Sequence, residues 1–102
     1  MVEKITGEQL SSIEPKGTIV IKFFATWCGP CKMIAPQVES FAAENTDIRV
    51  YEIDVDQSPE IVSKFAIQGV PTIAVFKDGG LMSQKSGFMP KNVIENWVKS
   101  IS

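Results

Sequence analysis

The chain has 102 residues, a formal net charge of −2, 44% hydrophobic residues and 22% charged residues. That length suits one small domain with a single core, read as residues 1–102. The charge balance leaves no basic footprint for nucleic acid or an anionic membrane, and no apolar run nears the roughly 20 residues of a spanning helix.

The first twenty residues carry the weakest pattern, read as a short strand followed by a helix over Gly7 to Ile13. The opening MVEKITGEQL is polar and lacks the apolar core of a secretory signal, so the expected compartment is the cytosol, where thiols are kept reduced. Thr18 to Phe24 is β-branched, aromatic and almost wholly apolar, as in a strand covered on both faces; only Lys22 interrupts it. Cys31 to Asn45 places Ile34, Val38, Phe41 and Ala42 on one helical face, with Pro36 inside and a kink expected there. Asp47 to Val55 alternates as a strand, Ile48 and Val50 on one face, Tyr51, Ile53 and Val55 on the other. Ser58 to Ala66 reads as a short helix capped by Ser58, with Pro59 at its first position.

Thr72 to Phe76 is a third buried strand. Lys77 to Gly80 is a tight turn, and Leu81 to Ser86 a more polar edge strand. Lys91 to Ile101 closes the chain as an amphipathic helix with Val93, Ile94, Trp97, Val98 and Ile101 inward. Strands and helices therefore alternate and end in a hairpin and a helix, which predicts an α/β fold: a mixed sheet with helices on both faces.

Chemistry concentrates in Trp27-Cys28-Gly29-Pro30-Cys31. The two cysteines are the only ones in the chain. A bond between them closes so small a loop that it stabilises the fold little, which makes a structural disulfide the weaker reading. Two thiols at this spacing suit sequential exchange: one attacks a substrate disulfide, the second attacks the resulting mixed disulfide. That design needs one exposed, thiolate-prone sulfur and one sheltered sulfur beside it. Cys28 falls where a strand ends and a helix begins, and the partial positive charge of a helix N-terminus favours a thiolate. Cys31, one turn in, is expected to point back under the loop. Gly29 and Pro30 form and stiffen the turn, and Lys32 adds a positive charge. The chain has no histidine, which excludes a Cys–His hydrolase. A zinc site needs a second pair of ligands that the chain lacks, leaving only zinc bridged between two chains as a metal alternative.

WCGPCKMIAP (Trp27–Pro36), IDVDQSP (Ile53–Pro59), GVPT (Gly69–Thr72), FKDGG (Phe76–Gly80) and Ser86-Gly87 occur in the order and spacing of the thioredoxin family, which the chain resembles along essentially its whole length. The resemblance implies the thioredoxin fold, a central mixed five-stranded sheet flanked by four helices. It implies a protein-disulfide reductase, acting as an electron donor in redox homeostasis, with Cys28 attacking and Cys31 resolving. No metal or bound cofactor is implied; electrons would come from NADPH through a flavin-containing thioredoxin reductase, and the partners would be that reductase and disulfide-containing proteins, with the chain itself a monomer. Trp27 matches a partly exposed surface beside the site, its alternative being a plain core aromatic. Pro71 matches the family's cis-proline, which would turn the Val70 backbone outward to pair with an extended substrate. Gly69 belongs to that loop. Gly87 would let a substrate chain approach closely, or be an ordinary turn glycine. A rival reading keeps the fold as a docking or processivity module with an incidental dithiol.

The sequence departs from the family in one place. Thioredoxins usually carry a buried aspartate six residues before the first cysteine and a lysine on the neighbouring strand; here those positions are Lys22 and Glu52. The pair reads as exchanged between strands. Lys22 in mid-strand is expected to be buried, and an unpaired buried ammonium costs several kcal/mol, so a Lys22–Glu52 ion pair beneath Cys31 is expected. Either member is a candidate to exchange a proton with the Cys31 thiol. The alternative is a lysine that snorkels to water and a surface carboxylate.

Overall fold

The apolar segment Thr18–Phe24 forms β2, and it lies at the centre of the sheet. In a computed structural model that describes all residues, Met1–Ser102, the elements run β1 (Val2–Lys4), α1 (Gly7–Leu10), β2 (Thr18–Phe24), α2 (Gly29–Glu44), β3 (Arg49–Asp54), α3 (Pro59–Lys64), β4 (Thr72–Lys77), β5 (Gly80–Ser86) and α4 (Lys91–Ile101). The sheet order is β1-β3-β2-β4-β5. β1, β3 and β2 are parallel, and β4 and β5 are each antiparallel to the preceding neighbour. This is the mixed five-stranded sheet and four helices expected from the sequence.

Alternation along β2 divides the core in two. Val20 faces α2 and α4, joining Ile34, Val38, Phe41, Ile94 and Val98. Ile19, Ile21 and Phe23 face the other layer, joining Ile5, Ile53, Ile61 and Phe76. Both layers are dry: Phe23, Phe41, Ile34, Ile94 and Val98 have no exposed surface. No helix is long and apolar enough to cross a membrane.

The structure trims several expected elements. α1 ends at Leu10 rather than Ile13, β3 starts at Arg49 rather than Asp47, and α3 stops at Lys64 rather than Ala66; Ala66 has φ 54°, a left-handed conformation that ends a helix. α2 starts two residues earlier than expected, at Gly29, because Cys28 itself is its N-cap, and it runs through Pro36 as one element. Ser58 is the N-cap residue of α3 but its hydroxyl makes no cap bond there; it accepts the Gly7 N–H at 2.8 Å instead, tying α1 to α3. Val93 lies outward, 42% exposed, at the edge of the apolar stripe of α4. β5 is an edge strand, as its polarity predicts.

Candidate active site

The site forms where β2 ends and α2 begins, outside the carboxyl ends of the parallel strands, where open α/β sheets bind ligands. Cys28 and Cys31 are joined in a disulfide. Cys28 caps α2, and its Sγ accepts the Cys31 backbone N–H at 3.2 Å. Gly29 and Pro30 make the first turn of the helix and are exposed. The first-turn donors and the helix dipole thus lie at the Cys28 sulfur, favouring negative charge there. Lys32 is exposed on the same turn and adds to that field.

The expected contrast between an open and a sheltered cysteine is absent from the disulfide form: both residues are 4% exposed. Cys28 is turned inward by its capping role and lies among Ala25, Cys31, Phe24, Val55 and Val70.

Trp27 is 70% exposed, which overturns the core alternative. Its indole Nε1–H donates to Asp56 Oδ2 at 2.8 Å. Asp56 follows β3, and its own N–H donates to buried Asp54 at 2.9 Å. The indole, next in sequence to Cys28, is therefore anchored from the β3–α3 turn. Asp56 lies in the IDVDQSP segment, but an acid in a turn carries no sequence signal of so distant a partner.

The loop before β4 supplies the opposite wall. The Val70–Pro71 peptide is cis, as the resemblance implies. Pro71 is buried, Val70 half-buried and Gly69 exposed. The Val70 carbonyl oxygen lies 3.6 Å from Cys28 Sγ, while the Val70 N–H donates to nothing within the chain. Gly87 stands beside this loop, donating its N–H to the Pro71 carbonyl at 2.9 Å. It has φ 95°, and a Cβ placed there would meet no atom within 4 Å. Glycine suits that left-handed backbone and leaves the space above it open.

Lys22 and Glu52 are paired, as expected. They are in register on β2 and β3, with Lys22 Nζ 3.1 Å from Glu52 Oε1 and side-chain exposures of 6% and 25%. Lys22 therefore does not snorkel to water. Its face of β2 is the one covered by α2, since Val20 two residues earlier packs there. Neither side chain hydrogen-bonds a cysteine. Phe24 makes the connection: Lys22 Nζ lies 5.4 Å from its ring centroid, and the ring packs on the disulfide cluster. A third charge, invisible in the sequence, completes the group. Lys4 on β1 is in register with Glu52 on its other side, and its Nζ is 5.6 Å from the same ring.

A paired Cys-x-x-Cys at a helix start, an exposed aromatic and a loop with an unpaired backbone define a dithiol–disulfide oxidoreductase built on a mixed five-stranded sheet. The thioredoxin family model matches residues 3–100. Relatives include thioredoxins of Mycoplasmoides gallisepticum, 39% identical and covering 97% of each chain, and of Bacillus subtilis, 37% identical over 95% of this chain and 94% of that one. Among solved structures, Fasciola hepatica thioredoxin superimposes with a TM-score of 0.89 at 34% identity, covering 98% and 99% of the two chains; chloroplastic thioredoxin z gives 0.86 at 40% identity, covering 98% and 93%. The chain belongs to the thioredoxin family. Its activity is thiol–disulfide exchange, its substrates contain disulfides, and its partner is a reductase. The comparisons do not favour a docking module with an incidental dithiol.

Proposed function

We propose that the chain reduces protein disulfides in two steps, with Cys28 attacking and Cys31 resolving. The supporting observation is the placement of Cys28 as N-cap of α2, with its sulfur against the Val70 carbonyl. In the reduced protein the Cys28 thiolate attacks one sulfur of the substrate disulfide. A mixed disulfide forms and the other substrate sulfur leaves as a thiolate. The Cys31 thiol then loses its proton and attacks Cys28 Sγ; the second substrate sulfur departs, and Cys28–Cys31 closes. Two electrons pass to the substrate.

The substrate docks as an added strand. Its backbone pairs with the free N–H and C=O of Val70, its side chains lie on Trp27, and it passes over Gly69, Pro71 and Gly87. Lys22 and Glu52 serve the second step. The pair takes the Cys31 proton, and the exposed quarter of Glu52 returns it to water. A flavin-containing thioredoxin reductase, drawing on NADPH, reopens the disulfide. The chain works as a cytoplasmic monomer.

The test is insulin reduction by the chain with a thioredoxin reductase and NADPH. The parent should be active, and Cys28→Ser should fall to the uncatalysed rate. A parent no faster than Cys28→Ser refutes the reductase assignment. For the proton role, rates are compared across pH for the parent, Lys22→Ala and Glu52→Ala; the variants should move the profile, and superimposable profiles remove the pair from the mechanism.

A further inference from the structure

The three carbonyls of the Gly69–Pro71 loop have different fates. The Gly69 carbonyl accepts the Thr72 hydroxyl at 2.5 Å. The Pro71 carbonyl accepts the Gly87 N–H at 2.9 Å. Only the Val70 carbonyl is left without a backbone or side-chain N–H or O–H from elsewhere in the loop, and it faces the Cys28 sulfur. The loop is thus clamped on both sides of the one residue whose backbone is free.

One clamp is made by a side chain. Thr72 is wholly buried, and its hydroxyl has two oxygen neighbours, Gly69 O and Ser86 Oγ, the latter at 3.0 Å. A carbonyl only accepts, so the single Thr72 proton goes to Gly69, and Ser86 donates to Thr72. The direction of the chain is fixed: Ser86 O–H to Thr72 O–H to Gly69 C=O. Donating to an oxygen that is itself a donor strengthens both bonds. Thr72 and Ser86 are in register across β4 and β5, so the loop is braced from the rigid hairpin behind it.

We infer that Thr72, supported by Ser86, is a positioning residue for substrate docking: it holds the Val70 peptide groups at the distance from Cys28 Sγ that lets a bound strand present its disulfide to that sulfur. This rests on the reading that Val70 pairs with the substrate backbone. Neither hydroxyl touches the reacting sulfurs, so the effect falls on binding of extended substrates and not on the exchange chemistry.

The experiment uses a short peptide disulfide, the same peptide N-methylated beside its cysteine, and hydroxyethyl disulfide, which has no peptide backbone. Thr72→Val removes the hydroxyl at constant shape, and should raise KM for the peptide about five- to tenfold, the worth of one buried hydrogen bond. Ser86→Ala, a surface change, should raise it about two- to threefold. In both, kcat, the rate with hydroxyethyl disulfide and the reduction potential stay at the parent's values, and Thr72→Ser restores the parent KM. An unchanged KM in Thr72→Val overturns the inference, and an unchanged KM in Ser86→Ala overturns the support from Ser86. So does a parallel loss with peptide and hydroxyethyl disulfide, which marks a merely structural role. If Thr72→Val does not fold, Ser86→Ala alone decides. The methylated peptide separates the two layers. A parent that does not distinguish it from the plain peptide overturns docking on Val70, and the inference with it. A parent that distinguishes them while Thr72→Val keeps the parent's KM overturns the hydroxyl brace alone.

Discussion

Lys22 shows what a single residue imposes on its surroundings. Its ammonium is buried under α2, and two groups answer it, the Glu52 carboxylate directly and the Phe24 ring. The two members of the pair are not equivalent. Removing Glu52 leaves a buried ammonium with only a ring face beside it, whereas removing Lys22 leaves a carboxylate that is already one-quarter exposed to water. Glu52→Ala should therefore cost about 2–4 kcal/mol and Lys22→Met about 1 kcal/mol or less, measured by urea unfolding of the oxidised forms. Equal costs, or the reverse order, contradict this picture of the pair. The lysine was legible in the sequence because a charge in an apolar strand demands a partner. Lys4 was not, because pairing of β1 with β3 joins segments nearly fifty residues apart, and register between such segments is set by the assembled sheet. Cys28 was placed correctly at the helix start, but its burial follows from the sulfur acting as the cap, which residue type alone does not announce.

At the scale of elements, tertiary partners overrode local rules. Ser58 precedes a proline at a helix start and reads as a cap, yet its hydroxyl serves the buried Gly7 N–H of α1. Ser58→Ala should leave that N–H unsatisfied and cost about 1–3 kcal/mol, visible as a lower urea midpoint with unchanged helix content. A loss below about 0.5 kcal/mol contradicts the tie. The C-terminal end of α2 is joined to the first half of α4 by a polar group. The Asn45 side-chain N–H donates to Glu95 at 3.0 Å and to the Phe41 carbonyl at 2.9 Å, and Lys91 pairs with Glu44. The Asn45 hydrogen bond, aided by Lys91 and Lys99, holds the Glu95 carboxyl below its ordinary value. A carboxyl lowered in the fold stabilises above its unfolded value, and that contribution fades as pH falls through the folded value. Glu95→Gln should therefore lower stability at neutral pH, and its deficit against the parent should shrink below about pH 4. A deficit that grows with acid reverses the sign and rejects the assignment. The amphipathic stripe of α4 was readable from spacing, but Val93 sits at its margin, where periodicity alone does not separate inside from outside.

Across the whole molecule, one arrangement serves the chemistry. β2, the central strand, carries Lys22 into the core and delivers Cys28 to the start of α2. The β3 end holds Trp27 through Asp56, and the β4–β5 hairpin braces the loop opposite. The fold and the dithiol were legible because their signals are local: apolar runs for strands, helical spacing, and two cysteines at a strand–helix junction. The walls of the site were legible only in part, since Trp27–Asp56 and Thr72–Ser86 join residues far apart in sequence. The central claim is the order of the two sulfurs, and trapping tests it most directly. The reduced chain, as Cys31→Ser and as Cys28→Ser, is mixed with a disulfide-bonded protein substrate, quenched and resolved without reductant. Cys31→Ser should accumulate a mixed disulfide through Cys28, because nothing remains to resolve it, and Cys28→Ser should trap almost none. Trapping through Cys31 in Cys28→Ser, with none through Cys28 in Cys31→Ser, would contradict the account.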